Sequence, residues 1–277
     1  MAKSVGFIGN FKGKLGNTVG YKVSQSNSGT NQGVRVYQPS IKNPKSAAQA
    51  EQRAKYAPIF ATYRALKMII DRGNESKPYG NASRIAWLHK AFQADYIPWT
   101  QKGFTTNNPV LCQLTQGTLK GIPFIVDGDA LTFNLTVDAP VGALTTVGKV
   151  STVFMQNFPY LKEGDQVTFV LNMPNVEVLD FQMISYIIDE GDTTPVRDWT
   201  VQDSLLKLFT YDQIDAAAVI VSRQGTKGEH LRSTSFLTPM DNLTKYPPYD
   251  DASKQAAIAS YMANDSAHAD WAEESIQ

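Results

Sequence analysis

The sequence predicts an α+β protein: an N-terminal extended basic β arm and a helical pair, followed by an antiparallel β-sandwich or partly open barrel with a short C-terminal helix. Three observations carry that prediction. Residues 1–42 are rich in Gly, Asn, Ser and Lys with two short β-type runs, residues 43–94 place apolar side chains at helical spacing, and beyond Trp99 runs of Val, Thr, Phe and Ile recur between Gly, Pro and Asp turns. At 277 residues the chain exceeds the usual single domain of about 100–150 residues. The expected parts are an arm at 1–42, a helical pair at 43–99, an antiparallel β domain at 100–250, and a C-terminal helix with an acidic tail at 251–277.

In the arm, Gly6, Gly9, Gly13, Gly16 and Gly20 recur at spacings of three and four. Helix is disfavoured there, because Gly costs about 1 kcal/mol relative to Ala at each helix-interior position and no apolar stripe offsets it. The reading is two strands, Thr18–Val23 and Gly33–Tyr37, joined by the loop Ser24–Gln32. So little apolar surface needs a larger body to pack on.

At Asn43-Pro44 the character changes: Asn suits a helix N-cap and Pro the first helical position. Ala47, Ala50, Ala54 and Ala57, then Phe60, Tyr63, Leu66 and Ile70, follow at helical spacing to about Asp71, with Pro58 expected to kink or split the helix. Gly73 ends it. A second helix over about Ala82–Ala94 carries Ile85, Leu88 and Phe92 on one side with Trp87 adjacent, and Pro98 closes it.

The expected strands are Val110–Gln116, Ile122–Val126, Leu131–Val137, Val147–Gln156, Gln166–Leu171, Val178–Ile188, Ala216–Arg223 and Leu231–Thr238. Leu131–Val137 alternates as a half-buried antiparallel strand does, and Asp127-Gly128-Asp129 before it signals a hairpin. Short helices are expected at Val201–Phe209 and Ala252–Met262.

Charge is split along the chain. Residues 1–93 hold 15 Lys and Arg against Glu51, Asp71 and Glu75, a balance of +12, and the remainder holds 11 against 23, a balance of −12. Seven basic residues precede the first acidic one. Such ends attract different partners, or each other between copies.

A single cysteine, Cys112, excludes an internal disulfide framework and points to folding in a reducing cytoplasm, and no run approaches the 18 apolar residues of a membrane span. Gly13-Lys14 lacks the Ser or Thr and the strand-to-helix setting of a phosphate loop. His89, His230 and His268 stand at no metal-ligand spacing, and the acidic groups Asp127/Asp129 and Asp189-Glu190-Gly191-Asp192 do not continue to the glutamate that closes a calcium loop. No catalytic constellation, metal site or cofactor site is expected. The candidate binding residues are the cations and aromatics of the arm: Lys3, Phe7, Phe11, Lys12, Lys14, Tyr21, Lys22, Arg35, Tyr37, Lys42 and Lys45. They suit first a neighbour's acidic surface and, as the runner-up, the stacked bases and phosphates of single-stranded nucleic acid.

Two stretches near the start, Gly13-Lys14-Leu15-Gly16-Asn17-Thr18-Val19-Gly20-Tyr21 and Asn43-Pro44-Lys45-Ser46 with Gln49, Gln52 and Arg53, are followed by the helix around Trp87. Together with Thr115–Leu119, Ser222-Arg223, Ser233-Thr234-Ser235 and Ala257–Tyr261 they resemble an uncharacterised protein family of Bacteroidota and their phages. That resemblance implies a phage structural-protein context and transfers no catalytic residue. The expectation is a non-enzymatic virion component of head, neck or tail, made in the bacterial host cytoplasm and assembling through its basic arm with other copies and other virion proteins. Alternatives are a nucleic-acid-binding accessory protein acting on phage DNA and a glycan- or receptor-binding module. No membrane or small-molecule substrate is expected.

Overall fold

The computed structural model describes residues 46–127, 130–135, 146–173, 178–195, 214–226, 228–241, 243–245 and 247–263, and the strand backbones 13–15, 18–22, 32–36, 199–202 and 205–208. The chain divides into two compact units, residues 1–45 and 46–277. Helices and antiparallel sheets are both present, so the fold class is α+β, and no closed barrel forms among the described residues.

Unit 1 is a three-stranded antiparallel sheet of β1 (Gly13–Leu15), β2 (Thr18–Lys22) and β3 (Gln32–Val36), in that order. The two expected strands are joined by β1. β1 and β2 are antiparallel, with Leu15 opposite Thr18.

Unit 2 opens with α1 (Ala47–Ala65), α2 (Lys67–Ile70) and α3 (Asn81–Ala91). The N-cap is Ser46, whose hydroxyl accepts from Gln49 N–H at 3.3 Å. Asn43 and Pro44 lie outside the described residues. α1 runs through Pro58 without the split that is one of the two effects expected there, and the helix breaks instead at Leu66 (φ −105°, ψ 20°). The proline lacks the N–H that would bond the Ala54 carbonyl, and burial in the stripe Ala54, Pro58 and Thr62 offsets that loss. On α3 the buried face is Ser83, Trp87 and Ala91, while the expected core residue Ile85 faces solvent. Ser83 permits close approach, donating to Ile70 O at 2.7 Å and accepting from Asn74 N–H at 3.2 Å.

The central sheet consists of β7 (Gln166–Met173), β8 (Asp180–Ile187), β11 (Ala216–Gln224), β12 (His230–Arg232) and β14 (Thr238–Pro239). Its order is β12-β11-β7-β8 with β14 also on β11, and every pairing is antiparallel. Ala217, Val219 and Val221 stand opposite Leu171, Phe169 and Val167 and face one core. Ala216, Ala218, Ile220 and Val170 face a second core with Ile59, Leu66, Ile70 and Trp87 of the helices. Burial on both faces explains why β11 reads as an unbroken apolar run.

The first core is closed by α4 (Val147–Asn157), β5 (Ile125–Asp127) and β6 (Ala130–Asn134), and these strands belong to a sheet with β9 (Trp199–Gln202) and β10 (Leu205–Leu208) in the order β5-β6-β10-β9. Two expectations fail here. Val147–Gln156 is helix, because Val147, Val150, Ser151, Val153 and Phe154 present one buried face at helical spacing, and that packing outweighs the β-propensity of its valines. In place of the helix expected at Val201–Phe209, the described residues Val201, Gln202 and Leu205–Leu208 belong to the antiparallel strands β9 and β10, with Gln202 opposite Leu205. The remaining elements are the pair β4 (Gln113–Thr115) and β13 (Ser235–Phe236), and α5 (Asp251–Met262), capped by Asp250 and packed on α1 through Ala257. The expected strand Leu231–Thr238 is therefore three short pieces.

Candidate functional site

Of the candidate arm residues, Lys14 lies on β1, Tyr21 and Lys22 on β2 and Arg35 on β3. Lys3, Phe7, Phe11, Lys12, Tyr37, Lys42 and Lys45 lie outside the described residues. The register sets Lys14 opposite Val19 and Val19 opposite Arg35, so one row of the sheet carries a cation at either end. Unit 1 contains seven Lys and Arg and no Asp or Glu.

In unit 2, several stretches singled out in the sequence meet in one hydrogen-bonded fastening. Glu75, in the loop between α2 and α3, accepts from Thr118 N–H and the Thr118 hydroxyl at 2.9 Å each and from Arg232 N–H at 3.1 Å. Burial works against the charge on Glu75, yet these donors outweigh it and hold its carboxyl below the usual range. A Cβ on Gly117 would lie 2.1 Å from Arg232 O and 2.5 Å from Glu75 Oε2, so only glycine fits. The Thr234 hydroxyl donates to Gly117 O at 3.0 Å, and Thr115 Oγ1 donates to Ser233 O at 2.7 Å. Where the chain leaves β12, the Ser233 hydroxyl accepts from Val221 N–H at 2.9 Å and the Ser235 hydroxyl donates to Val219 O. Side chains thus replace the backbone ladder between β12 and β14. The chemistry is structural: it fastens the helical loop and β4 to the central sheet.

Arg223 makes a bidentate pair with buried Asp165, both contacts at 2.6 Å, and also donates to Tyr160 O at 2.9 Å. Hydrogen bonding to Asp165 pushes the guanidinium pKa up further.

A shallow groove of about 220 Å³, its open mouth included, lies between α3 and β4, lined by Asn74, Trp87, Lys90, Gln113 and Gln116 among others. The Lys90 ammonium donates to the side-chain carbonyls of Gln113 and Gln116 at 2.8 and 2.6 Å, and partial burial lowers its pKa. Burial pushes the Cys112 thiol up to about 12. The lysine is already satisfied by two amides, which leaves it poorly placed as an acid, base or nucleophile. Among the described residues no group of three or more His, Cys, Asp and Glu side chains is placed to hold a metal ion, and no helix is long and apolar enough to cross a membrane.

No protein-family model, curated protein or solved structure matches the chain.

Proposed function

We propose that the protein is a non-enzymatic structural subunit that assembles through its basic N-terminal arm, as a component of a tailed-phage virion. One observation carries the assembly reading: every charged residue of the first structural unit is basic, while the second unit is acidic on balance. Unit 1 has seven basic residues and no acidic one, and unit 2 has 19 against 26, so the units carry +7 and −7. A small three-stranded sheet with that charge gains most by seating on an oppositely charged body, which unit 2 of another copy provides. Ion pairs between them raise the encounter rate and select the partner, and apolar anchors supply most of the affinity. The virion setting is supported by the motif resemblance alone.

Sedimentation of the full chain and of the chain lacking residues 1–45 tests the assembly reading, with circular dichroism to confirm that the shortened chain folds. Assembly of the full chain only is expected, and equal mass for both sinks the proposal. The all-cationic arm also favours a second reading, binding of single-stranded nucleic acid. That reading requires an affinity that falls steeply with salt as counterions are released.

A further inference from the structure

The central sheet ends on β8, and no described strand pairs with its outer edge. Burial falls across the sheet from β11 through β7 to β8, where every residue is half-buried or exposed. Met183 and Ile187 lie on one face of this strand and are 42% and 59% exposed. Sheet edges are usually blunted by Lys, Pro, a bulge or a short strand. β8 has none of these: Phe181–Ile187 contains neither charge nor proline, and its register with β7 is unbroken from Gln166↔Ile187 to Met173↔Asp180. The strand is also flanked by acid. Residues 178–192 hold Asp180, Asp189, Glu190 and Asp192 and no Lys or Arg. The adjoining turn, bonded to Ile188 through Gly164 N–H and Asp165 O, adds Glu163 and one cation, Lys162.

At the other end of the chain, β3 is the last strand of the arm sheet and pairs with β2 on one side only among the described residues. We infer that the outer edge of β8 receives the arm of a second copy of this chain by strand addition. Backbone hydrogen bonds and contacts to Met183 and Ile187 hold the arm, and the acidic flanks draw in its cations. The inference rests on the assembly reading above and names its receiving surface. Because arm and edge are different surfaces, the contact is head-to-tail and builds a ring or a filament rather than a closed two-fold dimer.

Two full-length variants, Arg35→Cys and Ile187→Cys, test it when mixed with a short bismaleimide, the native Cys112 being buried. A cross-linked dimer that requires both variants is expected. In a separate full-length chain, Met183→Lys with Ile187→Lys should raise the self-association constant for dissociation at least about tenfold at unchanged melting temperature. Cross-linking only between two copies of Ile187→Cys, cross-linking within a single chain that carries both Arg35→Cys and Ile187→Cys, or wild-type assembly of the double lysine variant each overturns the inference. If the lysine variant assembles normally while loss of residues 1–45 abolishes assembly, the receiving surface is wrong and the assembly reading stands. Normal assembly without residues 1–45, or a full chain that stays monomeric, sinks both.

Discussion

Replacing Arg223 with alanine should destabilise the protein by about 3 kcal/mol. Breaking a buried ion pair from one side costs about 3–5 kcal/mol, since the remaining charge is left without its partner. The Asp165 side chain is 1% exposed and that of Arg223 22%, so water reaches the vacated position from the arginine side and the cost falls toward the lower end. Two contacts of 2.6 Å to the carboxylate and one of 2.9 Å to Tyr160 O disappear, leaving Asp165 the backbone N–H of Lys162 at 2.8 Å. For a chain of this size each kcal/mol moves the melting temperature by about 2–4 °C, so a fall of about 6–12 °C is expected. Urea denaturation of wild type, Arg223→Ala, Asp165→Asn and the double variant gives the coupling directly, and the double variant should lose less than the two singles together. A loss under about 1 kcal/mol for Arg223→Ala would place the pair with exposed surface pairs and refute the argument.

Glu75→Gln should cost about 1–2 kcal/mol at neutral pH, because an amide cannot reproduce three charge-assisted acceptances. The folded Glu75 pKa is depressed, so its contribution is present above the ordinary carboxylate range and is lost as pH falls through the folded value. The gap in stability between wild type and Glu75→Gln should therefore close on acidification, and a gap independent of pH in urea titrations counts against the fastening. Gly117→Ala should cost about 2 kcal/mol or more, since its Cβ would lie 2.1 Å from Arg232 O, whereas Gly121→Ala meets nothing nearer than 3.6 Å. Equal melting temperatures for these two variants would contradict the packing. The Cys112 thiol, raised to about 12, should react with a disulfide reagent at pH 8 only after unfolding. Rapid modification of the native protein would show that α3 and β4 do not cover it.

The sequence is most legible where one local signal decides the element. Thr18–Lys22 and Gln32–Val36 are strands as the β-type runs indicate, α5 follows its Asp250 cap, and β5 and β6 pair antiparallel with Asp127 opposite Ala130. It misleads where long-range packing reverses a local preference. The valines of Val147–Asn157 favour strand by type, but their spacing carries the helical period, and Gly148 marks the close approach: its Cβ would lie 2.4 Å from Glu190 O. For the candidate site, the charge division is read from composition, whereas the receiving edge is not. That β8 is an edge strand follows from sheet order, which depends on pairings between residues dozens of positions apart.

The serine and threonine motifs show why polar stretches are hard to interpret in one dimension. Ser233-Thr234-Ser235 has the composition of a surface loop, and Ser233 and Ser235 are nonetheless buried against β11. A chain leaving a sheet edge inside a protein strands the N–H and C=O groups of the neighbouring strand, and each orphan costs about 1–3 kcal/mol. Short hydroxyl side chains answer both: Ser233 accepts from Val221 N–H, and Ser235 donates to Val219 O. Their replacement by alanine would leave one orphaned donor and one orphaned acceptor, so these residues are fixed by the backbone they serve. The ladder on this side of the sheet is completed internally. On the opposite side, beyond β8, no described strand continues the ladder.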